Sequence, residues 1–154
     1  MYRRILVPLD GSRGAEAILA HVTQLATLLE SEIVLVGVSV PVVSHEELLS
    51  QATARAVSEA KTHEAERYLD EQRRALDGRG LNVSVQTVKA EWLADAEPAE
   101  LIANAIATVA IALAADLVAI STRSYSTASR AGRAVADRLL HTSSVPVLAV
   151  PSKY

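Results

Sequence analysis

Short runs of apolar residues, each too brief for a buried helix, recur along this chain at residues 4–9 (RILVPL), 32–40 (EIVLVGVSV), 116–120 (DLVAI) and 145–150 (VPVLAV). Such runs are apolar at successive positions, so both faces of the strands they form must be covered. Between them lie segments with helical spacing. Ile18, Val22, Leu25, Ala26 and Leu29 share one helical face, residues 98–114 carry no charge after Glu100, and residues 131–142 alternate apolar and charged positions at helical period. Strands buried on both faces and separated by helices require a parallel sheet with helices on both faces. The chain is therefore expected to be an α/β protein, a single doubly wound domain spanning residues 1–154.

Composition agrees. A chain of 154 residues is one domain's length and buries roughly 68–70% of its unfolded surface, so it needs no covalent staple. It has no Phe and one Trp, which leaves Val, Ile, Leu and Ala to fill the core. There is no Cys, hence no disulfide and no thiolate chemistry. The net charge of −3 argues against broad nucleic-acid binding. Residues 1–12 (MYRRILVPLDGS) show no signal-peptide pattern, and residues 98–114 are too short and Ala-rich for a membrane span. A cytoplasmic location with no membrane partner is the expectation. His21, His45, His63 and His141 have no tight ligand spacing, so no metal site is expected. His141 reads instead as a favourable charge at a helix end.

The first strand ends at Asp10-Gly11-Ser12, which joins turn residues to an N-cap, and a helix over residues 13–29 follows. Residues 44–79 are polar and helix-rich. Ser44 and Glu47 form a capping-box pattern, Leu48, Ala52, Ala56, Ala60, Ala65, Leu69 and Leu76 a narrow apolar stripe, and Gly78 and Gly80 a stop. Residues 82–89 (NVSVQTVK) alternate, as a strand at a sheet edge does. Trp92 reads as an anchor packed under a loop, and the uncharged 98–114 helix as wholly buried or partly in a dimer interface.

In parallel α/β sheets the ligand crevice lies beyond the carboxyl ends of the strands. Those ends are Pro8-Leu9-Asp10 for the first strand and Ser121-Thr122-Arg123 for the fourth. The opening ILVPLDGS, the EPAELI helix start and the segment AVADRLLHTSSVPVLAV resemble the universal stress protein family, over essentially the full chain. The resemblance implies a five-stranded sheet of order 3-2-1-4-5. It also implies a base or ribose near Pro8, Asp10 and Val38. In the ATP-binding branch, a glycine, two residues, a second glycine, roughly nine residues and a final Gly-Ser or Gly-Thr pair follow the fourth strand, so that backbone approaches phosphate closely. Here Ser121 and Ser124 stand at the glycine positions, and Arg133-Ala134 at the final pair.

Two readings of that loop stand. In one, the cradle is lost and the protein, like a known branch of the family, is a binding or regulatory protein of the stress response that needs no cofactor and is not an enzyme. In the other, Arg123, Arg130 and Arg133 with Ser121, Thr122, Ser124, Ser126 and Thr127 hold ATP or another nucleotide or anion through side chains, with at most slow hydrolysis. Asp10 is open to two roles, ligand contact and capping of the following N–H groups. Arg133 pairs Asp137 in the plainer account of the loop. The resemblance also implies that the last strand, opening at Val145 and closing at Val150, pairs with its mate in a homodimer, which would bury an apolar edge.

Overall fold

The computed structural model describes residues 1–41, 51–122 and 131–152, with only the backbone described at 51 and 131–134. The elements run β1 (Arg4–Pro8), α1 (Arg13–Glu16), α2 (Ile18–Leu29), β2 (Glu32–Ser39), α3 (Gln51–Asp77), β3 (Asn82–Lys89), α4 (Pro98–Ala112), β4 (Leu117–Ser121), α5 (Ala131–Thr142) and β5 (Val147–Val150). The strands form one five-stranded parallel sheet of order β3-β2-β1-β4-β5. The expected architecture and strand order are both present.

Side chains alternate across each strand, so each strand feeds two cores. Ile5, Val7, Ile33, Leu35, Leu117 and Ala119 meet α1, α2 and the C-terminal half of α3 on one face. Leu6, Val34, Val36, Val118 and Ile120 meet α4 and α5 on the other. Ile5, Leu6 and Val7 are fully buried; burying each such side chain contributes roughly 1.5–3 kcal/mol.

A polar stitch fixes the amino ends of the strands. Arg4 donates its backbone N–H to Asp116 Oδ2 at 2.9 Å while its carbonyl accepts the Asp116 N–H at 2.9 Å. Its guanidinium donates to Glu32 Oε2 at 2.7 Å and to the Leu113 carbonyl at the end of α4. Glu32 Oε1 accepts from Ser84 on β3 at 3.3 Å. One cation thus binds a strand carboxylate and the negative end of a helix dipole together.

Several local expectations are corrected. The helix expected over 13–29 is two pieces meeting at Ala17. The expected apolar stripe of α3 reaches the core fully at Leu69 and Leu76, whereas Ala52, Ala56 and Ala60 are exposed, because the first half of α3 extends past the sheet. Leu48 and the Ser44–Glu47 capping pattern lie outside the described residues. The uncharged helix, α4, is not wholly buried: Ile102 and Ile106 pack into the sheet core and Leu101 is buried, but Asn104, Thr108 and Ile111 are exposed. Trp92 is 49% exposed rather than packed under its loop. The last strand begins at Val147 rather than Val145, and its residues are half-buried rather than buried. Pro146 has no N–H for the ladder, Val145 is tied instead to Ser143 through two hydrogen bonds, and among the described residues β5 pairs with β4 alone. The edge position of β3, the glycine stop after α3, and His141 in the last turn of α5, its Nδ1 2.7 Å from the Asp137 carbonyl, match expectation.

Two predictions follow from these helices. Ala114 sits past the end of α4 with φ +50, while Ala115 N–H reaches back to the Ala110 carbonyl at 2.8 Å. This left-handed cap favours glycine, so Ala114→Gly should stabilise the fold by about 0.5–1 kcal/mol, read as a higher urea midpoint at unchanged slope. On α3, Asp70 accepts from Arg73 at 2.7 Å and lies 2.9 Å from Arg74. The Arg73 hydrogen bond holds the Asp70 carboxyl below its ordinary value. Its small, salt-screened contribution is therefore present above the ordinary carboxylate range and lost as pH falls through the lowered value. Arg73→Gln should move the Asp70 titration upward in carboxyl-carbon NMR; an unmoved titration would contradict this.

Candidate functional site

The carboxyl ends of β2, β1 and β4 lie side by side, and the residues singled out in the sequence gather there. Pro8 closes β1, buried and in register with Val36. Leu9 follows, 2% exposed, its N–H donating to the Val36 carbonyl at 2.9 Å. The chain then turns at Gly11, whose φ of +85 lies in the region L side chains avoid.

Asp10 and Ser12 lock that turn. Asp10 Oδ1 accepts the Ser12 N–H at 2.9 Å and the Ser12 hydroxyl at 2.6 Å. Ser12 Oγ in turn accepts the Ala15 N–H at 3.1 Å, which makes Ser12 the N-cap of α1. Of the two roles open to Asp10, buttressing the cap is therefore visible in the geometry, with the carboxylate itself exposed at the head of the crevice.

On β2, Val38 is half-buried and in register with Val88. On β4, Ser121 is the last residue, fully buried and in register with Val150, and Thr122 donates its N–H to the Val150 carbonyl at 2.9 Å. Arg123, Ser124, Ser126, Thr127 and Arg130 lie outside the described residues. Arg133 falls in the first turn of α5, where the backbone alone is described. The structure thus gathers Pro8, Asp10, Val38, Ser121 and Thr122 at one end of the sheet. Among the described residues no three His, Cys, Asp or Glu side chains are grouped to hold a metal ion.

Beside Asp10 and Val38 a cavity of about 490 Å³ opens between β1, β2, β3 and α3. Its floor is Gly37, where an added Cβ would stand 3.0 Å from Leu69 Cδ1. Thr87 of β3 and Lys61, Thr62, Ala65 and Tyr68 of α3 complete it. Tyr68 donates its hydroxyl hydrogen to Glu16 Oε1 at 2.7 Å, tying α3 to α1 beside the Asp10 turn. Sequence reading missed this cavity; the lone glycine within the apolar run of β2 was its only local sign.

Residues 1–151 match the model of the universal stress protein family. The chain belongs to the universal stress protein family. Solved members share the fold. A family protein from Burkholderia pseudomallei is 24% identical, with 98% of this chain and 97% of that one covered at a TM-score of 0.72. One from Lactobacillus plantarum is 15% identical, with 97% of each chain covered and a TM-score of 0.75. One from Archaeoglobus fulgidus, solved in complex with dAMP, is 18% identical, with 96% and 97% covered and a TM-score of 0.62. At these identities the likeness shows the fold alone. Among curated proteins none matches the chain.

Ser12→Ala should cost about 1 kcal/mol through loss of the N-cap, read by urea denaturation, and Ser12→Asp, which restores a capping oxygen, should recover much of it. Equal losses in both variants would contradict the capping role.

Proposed function

We propose that this universal stress protein is a non-catalytic binding and regulatory protein of the stress response, cytoplasmic and homodimeric, that does not hold ATP through a glycine cradle. The observation that carries the reading is Ser121. It closes β4 fully buried, with a Cβ and hydroxyl where nucleotide-binding members of the family have a glycine. Ser124 and Arg133-Ala134 depart from the cradle in the same way. A Cβ at such a position blocks backbone approach to phosphate, and where φ must be positive it costs roughly 1 kcal/mol or more. The Ser12 hydroxyl is engaged within the turn, accepting the Ala15 N–H at 3.1 Å and donating to Asp10 Oδ1 at 2.6 Å. The homodimer rests on β5, which has β4 on one side, half-buried apolar side chains, and an edge whose pairing across a two-fold axis would cover it.

A second reading is favoured by the family member that binds dAMP and by the arginines of this chain. Here Arg123, Arg130 and Arg133 take the place of the glycines and hold a nucleotide or other anion near the start of α5, with at most slow hydrolysis.

Thermal melting separates the two. Millimolar ATP with magnesium should leave the melting temperature unchanged. Binding at 100-fold excess over the dissociation constant would stabilise by about 2.7 kcal/mol, a shift of several degrees. Such a shift, abolished by Arg133→Ala, would replace the first reading by the second. Sedimentation should show a dimer at micromolar concentration, and monomer alone would contradict the β5 interface.

A further inference from the structure

We propose that the loop between β3 and α4 is a docking surface for a cationic segment of another protein, one that carries arginines beside apolar side chains.

The loop is held at both ends and bare between them. At its start Ala90 is buried and donates its N–H to the Ser39 carbonyl at 2.8 Å. At its end Glu97 accepts from Arg138 of α5 at 2.8 Å, and Ala99 is buried in the first turn of α4. Between them Ala96 N–H reaches the Leu93 carbonyl at 3.3 Å, closing a turn in which Asp95 takes φ +62. Residues 91–95 (EWLAD) are all exposed. Trp92, the only Trp of the chain, is 49% exposed and Leu93 46%. Single apolar side chains scattered over a surface need no explanation. Two in succession, one of them Trp, on a backbone fixed at both ends form a preorganised contact point, because little ordering entropy remains to be lost on binding.

Charge selects the occupant. Glu91 and Asp95 flank Trp92 and Leu93, and among the described residues neither carboxylate is ion-paired. Glu97 is held by Arg138, yet its side chain keeps 72% exposure. Lys89 is the only cation within residues 89–97. A segment bearing arginines therefore finds carboxylates for its guanidinium forks and an indole face to stack on, while its apolar side chains cover Leu93. An anionic lipid surface would be repelled by the same carboxylates. The loop starts from the sheet edge opposite β5, so pairing of β5 with a second copy would leave it uncovered. None of its residues lines the cavity beside Asp10.

Because Trp92 is the only Trp, its emission reports on this loop alone. The probe is a peptide of alternating arginine and leucine, GRLRLRLRG, which has no aromatic residue. It should shift Trp92 emission saturably at one equivalent per chain. The glutamate counterpart, GELELELEG, should leave the emission unmoved, and the arginine–serine one, GRSRSRSRG, should bind about tenfold more weakly. Glu91→Gln combined with Asp95→Asn, a residue that tolerates positive φ, should also weaken binding about tenfold, with the melting curve unchanged. Glu59→Gln combined with Glu71→Gln, at exposed positions of α3, removes the same charge and should leave the affinity unaltered. Trp92→Ala, read by calorimetry, should abolish binding. Equal weakening by the two double variants would reduce the effect to net charge and overturn the proposal. So would the absence of binding at millimolar peptide, or binding that survives Trp92→Ala. Emission that shifts with protein concentration alone would assign the loop to a contact between copies and overturn it as well.

Discussion

The rest of the molecule depends on the burial of β1 on both faces. Ile5, Leu6 and Val7 have no exposed surface, which a strand attains only when strands flank it and helices cover it above and below. β2 and β4 supply the flanks, in register at Leu6 with Val34 and with Val118. The α1–α3 and α4–α5 layers supply the covers. Parallel pairing with β2 and β4 places all three carboxyl ends at one rim. The position of the candidate crevice is thus a by-product of the demand that one apolar strand leave water entirely.

The rim then divides according to what each neighbour brings. Towards β4 the backbone closes early: Ser121 is buried and Thr122 still donates a ladder bond to the Val150 carbonyl. Towards β2 and β3 the opposite holds. Gly37 removes one side chain, and α3 can touch the sheet at Leu69 and stand off from it one to two turns earlier. The Asp10–Ser12 turn sits at the boundary, held in place by its own hydrogen bonds and by the cap of α1. A shared fold does not by itself fix what such a crevice holds, which is why membership alone does not name an occupant.

The central strands were legible in the sequence because their apolar runs are a direct consequence of two-sided burial. The alternation of residues 82–89 likewise announced an edge, and Asp-Gly-Ser announced a turn and cap. The strand order came through resemblance, since no periodicity encodes which strand lies beside which. What the sequence hid is tertiary. The exposure of Trp92 and of one side of α4 depends on where helices end up relative to the sheet, not on local composition. The late start of β5 reflects Pro146, visible in the sequence, acting together with its place at an edge, which is not. The cavity depends on one glycine meeting one leucine of a distant helix. Of the candidate site, Asp10 and Val38 line the cavity, Pro8 and Ser121 are buried at the same end of the sheet, and Arg123 and Ser124 lie outside the described residues.

The central claim is that the crevice of this universal stress protein has exchanged a glycine phosphate cradle for a lining that does not retain ATP. Native mass spectrometry of the freshly purified full chain tests this most directly, because it weighs the protein together with whatever it carries. The predicted spectrum shows the polypeptide mass with no adenine nucleotide added. A stoichiometric mass increment equal to ATP or its hydrolysis product, lost in Arg133→Ala, would contradict the account.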